Sequence, residues 1–189
     1  MWAAIVGTDG TICAIVSSGD TMNDQWLGSR AIAMQKATTA VLFSTHTFAL
    51  STANLFAAVQ PGGSLFGLQF SNPVNPNVAY LDNPVGHRMG GINVFGGGLP
   101  LYSASGRLVG GLGVSGDTSC ADHNIAWRVR HLLNLDFVPA GVGPNNDDNI
   151  LYDDQGGNNN GKVDGFEHAD CGNNEKAVNQ TLPPVRRPS

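Results

Sequence analysis

The sequence predicts a single α+β domain, an antiparallel sheet flanked by helices, followed by an irregular C-terminal extension. Three features carry that reading. Two strand pairs surround turn signals at Asp9-Gly10 and Ser105-Gly106, two helical periods lie near 29–43 and 120–134, and the composition shifts to Asn, Asp and Gly after Pro139. With 189 residues, 41% of them hydrophobic, the chain can bury one core. We place the domain at residues 1–138 and the extension, expected to wrap it, at 139–189.

Trp2 to Thr8 and Thr11 to Val16 read as strands joined through Asp9-Gly10, a pair that favours a type I′ turn. From Ser29 to Phe43, Ile32, Ala33, Ala37, Ala40 and Val41 recur at helical spacing with no Pro or Gly. Their small side chains suit close packing on a sheet. A short helix is expected at Ser51 to Val59, a further strand at Ser64 to Phe70, and a proline-rich loop from Asn72 to Pro84. The second hairpin runs from Leu99 to Tyr102 and back from Arg107 to Val114, and its glycines at 110, 111 and 113 call for a close backbone or ligand contact. Ser119 and Asp122 have the form of a capping box, and Ile125, Ala126, Val129, Leu132 and Leu133 make the apolar stripe of the helix that follows.

A net charge of -5 with ten Lys plus Arg argues against a phosphate-binding surface, so no nucleic-acid partner is expected. No run approaches the roughly 18 to 20 apolar residues that a membrane span requires. Only Lys36, Lys162 and Lys176 are lysines, while Asn and Gly are abundant. That composition is common in exported bacterial proteins, and a periplasmic or secreted location is expected, any leader lying outside this sequence.

Lys36-Ala37-Thr38-Thr39-Ala40, Gly97-Gly98-Leu99-Pro100 and the run from Gly106 to Gly116 stand in the order and spacing of a known family. Over residues 2–134 the chain resembles the GlcG/HbpS family, also called haem-degrading or DUF336 proteins. Asp122 stands where that family places an Asp after its Gly-Val-Ser-Gly motif. The resemblance implies a profilin-like fold with a five-stranded antiparallel sheet, assembly into dimers or larger homo-oligomers, and binding of haem or cobalamin or a role in glycolate and propanediol operons. The chain departs from the pattern in placing Cys120 and His123 at a helix start and in carrying the Asn/Asp/Gly extension.

Cys120-Ala121-Asp122-His123 and His168-Ala169-Asp170-Cys171 are mirror images. A Cys120 to Cys171 disulfide would pin the extension to the domain, and chain entropy assigns such a cross-link roughly 4 kcal/mol. Two thiolates and two imidazoles, from Cys120, His123, His168 and Cys171, would alternatively suit zinc. Cys13 is expected to be a buried thiol, and Cys120 at a first helical turn could act as a nucleophile. His123, Trp127 and His131 fall opposite the apolar stripe, which points them toward a ligand or a partner subunit. His46 and His87 lie in loops and are further candidates for haem iron, and a calcium-loop pattern runs from Gly156 to Glu167.

Two functions follow. As a binding module, the protein would hold haem or a related tetrapyrrole in a noncovalent cleft formed by Lys36, Thr39, His46, Gly97, Gly98 and His123. As an enzyme, Asp122 and His123, beside Lys36 and Thr39, would perform acid-base chemistry on a small oxygenated metabolite, of lyase or isomerase type.

Overall fold

The structure, a computed structural model, describes residues 1–153 and 165–189. Strands β1 (Trp2–Gly7) and β2 (Ile12–Ser17) are followed by helix α1 (Gly28–Leu42), two 3-10 turns (Thr52–Leu55 and Ala57–Val59) and the single-turn α2 (Pro76–Ala79). Then come β3 (Gly98–Tyr102), β4 (Leu108–Ser115), α3 (Ser119–Leu132), β5 (Tyr152–Asp153), β6 (His168–Ala169) and α4 (Glu175–Asn179). The main sheet has the order β2-β1-β4-β3 with every pair antiparallel, and β5 pairs β6 in parallel.

The architecture is the expected α+β one, with local corrections. Among the described residues the main sheet has four strands rather than five, and the outer edge of β3 meets the chain after α3, where Tyr102 N–H donates to the Leu135 carbonyl at 2.8 Å. The first turn is not type I′, which needs positive φ at both central residues. Only Gly10 (φ 79°) is left-handed, and the Gly10 N–H donates to the Gly7 carbonyl, giving a three-residue loop. Ser51–Val59 forms 3-10 turns, and Ser64–Phe70 forms turns in place of a strand, packing Leu65 and Leu68, three apart, on the Leu55–Val59 cluster while Phe66 and Phe70 are exposed.

Helix α1 covers one sheet face, packing Ala33, Met34, Ala37 and Val41 on Trp2, Ala4, Val6 and Ile12. The glycines of β4 are explained by this contact rather than by a ligand: a Cβ at Gly111 or Gly113 would collide with the Ala37 or Ala33 carbonyl of α1, and one at Gly110 with the Val6 carbonyl. Helix α3 lies on the opposite face, where Ala126 and Trp127 pack on Leu99, Leu101, Leu112 and Val114. Its cap is Thr118, whose hydroxyl accepts from Ala121 N–H, so the Ser119–Asp122 capping box does not form.

The buried face of α3 is also not the one its hydropathy suggests. Cys120, Asp122, His123, Asn124, Ala126, Trp127 and Arg130 are buried, whereas Leu132 is 82% exposed. The extension reverses the pattern by covering the polar side. Trp127 Nε1 donates to the Pro183 carbonyl at 2.8 Å, and Arg130 is paired bidentately with Asp148 at 2.7 and 2.8 Å with both side chains fully buried. Cys13, expected in the core, is exposed on β2.

Candidate functional site

Lys36, on the inner side of α1, reaches across the end of the glycine hairpin. Its Nζ donates to Asp122 Oδ2 at 2.8 Å and to the Val114 carbonyl at 3.1 Å, while Asp122 Oδ1 accepts from Asp117 N–H at 3.0 Å. Both charged side chains are 2% exposed. Burial pushes the Lys36 ammonium below its ordinary range and the Asp122 carboxyl above its own, and the attraction between them opposes both shifts.

Gly97 and Gly98 pass beside this pair because no side chain fits there. A Cβ on Gly97 would fall 2.5 Å from the Val114 carbonyl oxygen and 3.1 Å from Lys36 Nζ, and one on Gly98 would meet the Lys36 carbonyl at 2.5 Å. The gaps that the glycines leave are therefore filled by protein. Gly98 N–H donates to Thr52 Oγ1 at 2.9 Å.

Two imidazoles flank the preceding residue, Gly96. The Gly96 N–H donates to His168 Nε2 at 3.2 Å, and a Cβ there would lie 3.2 Å from His123 Cβ. His168 sits among Phe56 and Phe95, at 4.9 and 6.4 Å between ring centroids, with Nδ1 held 2.7 Å from the Ala169 carbonyl. His123 places Nε2 3.2 Å from Ile150 N–H and 3.2 Å from Asn149 Oδ1, and its Nδ1 has no hydrogen-bond partner among the described residues. Burial lowers the His123 pKa to about 3 and that of His168 to about 4, so both are neutral at pH 7. Cys120 and Cys171 are joined in a disulfide beside them.

The structure thus gathers Lys36, Asp122, Gly97, Gly98, His123, Cys120, His168 and Cys171 around the entrance to β3. Thr39 is tied elsewhere, donating to the Gln35 carbonyl at 2.8 Å and accepting from Asn93 N–H at 3.0 Å. His46 lies in an exposed loop at the opposite end of the hairpin, its Nδ1 accepting from Leu108 N–H at 3.0 Å. His87 is exposed near β2, and His131 pairs with Asp136 at 2.8 Å. The calcium pattern lies outside the described residues apart from 165–167.

Three clefts bear on function. A cleft of about 250 Å³ opens beside His168, between Phe56, Gln60, Asp153 and Glu167. A groove of about 860 Å³ runs between Met1, Trp26, Leu27, Gly28 and Gly116. It adjoins a space of about 670 Å³ that shares Trp26, Gly28 and Gly116 and adds Ile32, Ser115, Asp117 and Thr118. None of the three is lined by Lys36, Asp122 or His123. Among the described residues, Asp122 and His123 are enclosed in separate hydrogen-bond sets, at 2% and 0% exposed. Trp26, 77% exposed, is not among the residues that the sequence singles out, and its only local mark is that it stands with Leu27 directly after the polar run Asn23-Asp24-Gln25.

The sheet order, the helix seated on glycines and the enclosed Lys-Asp pair define a GlcG-type α+β domain. A family model described as haem degrading protein HbpS-like matches residues 1–130. The chain belongs to this HbpS-like family. It is 34% identical over 130 residues to the corrinoid adenosyltransferase PduO of Citrobacter freundii, an alignment spanning 66% of this chain and 32% of that protein. The PduO of Salmonella typhimurium is 37% identical over 114 residues, which are 60% of this chain and 27% of that protein. The chain therefore spans about a third or less of the length of these relatives. Among solved structures, a PduOC:heme complex superposes with a TM-score of 0.53 at 30% identity, covering 71% of this chain and 78% of that one. The ORFY protein of Klebsiella pneumoniae, described as DUF336, gives a TM-score of 0.47 at 28% identity, with 66% and 68% covered.

Proposed function

We propose that the protein binds haem, or a related tetrapyrrole, in the groove at the end of β4 between the starts of α1 and α3. The observation that carries this reading is the size and lining of that groove. At about 860 Å³, with the adjoining 670 Å³, it lies in the range of small-molecule sites, whereas the 250 Å³ cleft beside His168 falls below it. Trp26, 77% exposed, and Leu27, 55% exposed, offer a flat macrocycle a stacking and apolar surface. The start of α1 has no side-chain cap and presents the positive end of its dipole to a propionate. For iron, Met1 contributes a thioether to the lining, and no histidine lies there. Membership of a haem-degrading family and a relative solved with haem support the same ligand class.

Hemin titration tests this. Trp26 is the exposed tryptophan, since Trp2 and Trp127 are 6% and 3% exposed. Bound hemin should quench its emission, and Trp26→Ala should weaken binding about tenfold, which corresponds to about 1.4 kcal/mol of stacking and apolar contact. His123→Ala, folded, should keep the Soret position. Unchanged affinity in Trp26→Ala, or a Soret band lost in His123→Ala, would overturn the placement.

For assembly, burial of Trp127 removes the motive read from the sequence, but another surface supplies one. On the α3 side of the sheet, Val16 lies opposite Ala3 and Ala14 opposite Ile5. Val16 is 61% exposed there. We infer self-association through this partly covered face. Light scattering of wild type should give a multiple of 19.7 kDa, and Val16→Lys should shift it to the monomer; a monomeric wild type ends this reading. The disulfide supports an oxidising, extracytoplasmic location.

A further inference from the structure

We propose that Cys120, Cys171 and His168 form a redox-gated zinc site, held shut as a disulfide under oxidising conditions and opened by a dithiol reductant into a two-sulfur, one-nitrogen donor set. Three observations converge on it. The two sulfurs and one imidazole nitrogen lie within 4.8 Å of one another, so only small movements separate them from a tetrahedral arrangement with Zn–S near ~2.3 Å and Zn–N near ~2.0 Å.

His168 offers zinc a ring nitrogen held in one tautomer. Its Nδ1 hydrogen is directed to the Ala169 carbonyl at 2.7 Å, which leaves Nε2 as the lone-pair nitrogen. That is the tautomer and supporting contact that metal-bound histidines use. Among the described residues Nε2 accepts from Gly96 N–H at 3.2 Å, a bond a metal would replace.

The sulfurs also have donors ready for thiolate charge. Cys120 N–H lies 3.3 Å from Cys171 Sγ, and Ser119 Oγ lies 3.6 Å from it. Both belong to the first turn of α3, a 14-residue helix whose dipole favours negative sulfur. The cleft lined by Asp153, Glu167 and His168 opens on the histidine side of the set. His123, the fourth ligand that the mirror-image motif suggests, is not part of the set, since its Nε2 is engaged by Ile150 N–H and Asn149.

The steps balance. The dithiol is oxidised to its own disulfide while its two electrons and two protons convert Cys120–Cys171 into two thiols. Zinc then binds two thiolates and His168 and releases the two protons. Soft sulfur with imidazole in a tetrahedral set selects zinc over calcium or magnesium.

Cobalt(II) is the probe, in a Cys13→Ser background so that only the paired sulfurs report. Protein reduced with a phosphine should take up one equivalent, showing sulfur-to-cobalt charge transfer and the visible bands of tetrahedral cobalt, and zinc should bleach both. Oxidised protein should show neither. His168→Gln should weaken uptake by about 10-fold to 100-fold or more, since losing only a supporting partner of a zinc ligand costs that much. Absence of the bands in reduced protein that keeps its circular dichroism, or equal uptake by His168→Gln, overturns the proposal. Should reduction unfold the chain, zinc must restore the native spectrum, and failure to do so overturns it equally.

Discussion

Replacing Lys36 by methionine should lower stability by about 3 to 5 kcal/mol, the loss that follows when one partner of an enclosed ion pair is removed. The Lys36 and Asp122 side chains are 2% exposed and 2.8 Å apart. Methionine fills the space along the stem but leaves Asp122 in the core, either charged without its cation or carrying a proton taken from solvent. Asp117 N–H would remain its hydrogen-bond donor, which does not replace a full positive charge. For a chain of this size the loss corresponds to a Tm lower by about 10 °C. The double replacement Lys36→Met with Asp122→Leu should recover most of it, because the charge to be compensated is gone. Calorimetry on the two single variants and the double one measures the coupling. A Lys36→Met variant within about 1 kcal/mol of wild type would mean that water reaches Asp122.

Acidification should destabilise the protein between about pH 6.5 and pH 3 through His123. Its pKa is held at about 3 in the folded chain, against 6.5 for an exposed histidine, chiefly by burial and then by the nearby Arg130 charge. In that window the unfolded chain binds a proton that the folded chain does not, so stability falls as pH falls. The contribution is intact above pH 6.5 and changes no further below about pH 3. Each pH unit inside the window removes about 1.4 kcal/mol. Denaturant midpoints measured at pH 7, 6, 5 and 4 should show a steeper decline in wild type than in His123→Gln, whose amide carries no titrating proton. Equal slopes would show that the ring titrates in the folded state near its ordinary value.

Much of the scaffold was legible. The periods at 29–43 and 120–134 marked α1 and α3 to within two residues, and the Gly-rich hairpin marked β3 and β4. Local sequence is sufficient there because a helix face or a strand pair is specified by neighbours a few positions away. The pairing of Cys120 with Cys171 was open in the sequence between a disulfide, a metal site and unlinked thiols, and the structure forms the disulfide with His168 beside it.

What the sequence misled about is the inward face of α3. Of the stripe Ile125, Ala126, Val129, Leu132 and Leu133, Ala126 is in the core and Ile125 and Val129 pack against it, but Leu132 and Leu133 are exposed, and the helix also encloses Cys120, His123, Trp127 and Arg130, at spacings of three, four and three. That spacing was present in the sequence, but polar residues conceal a buried stripe when hydropathy alone is read. Arg130 is held inside by Asp148, which arrives from the extension to pair with it, by the Pro100 carbonyl and by the Trp127 ring, and Trp127 has its indole N–H accepted by Pro183. For Gly111 and Gly113, where the sequence called for a close backbone or ligand contact, the structure supplies the backbone one, the carbonyls of α1 approaching β4. The sequence by itself determined α1, α3 and the strand pairs β1-β2 and β3-β4, and that the chain is an α+β domain of this family, whereas the segments between them and the extension were not read from it. Only the tertiary structure decided which faces are inside and where space for a ligand remains, because burial depends on what distant segments bring to a surface, and those partners lie tens of residues away along the chain.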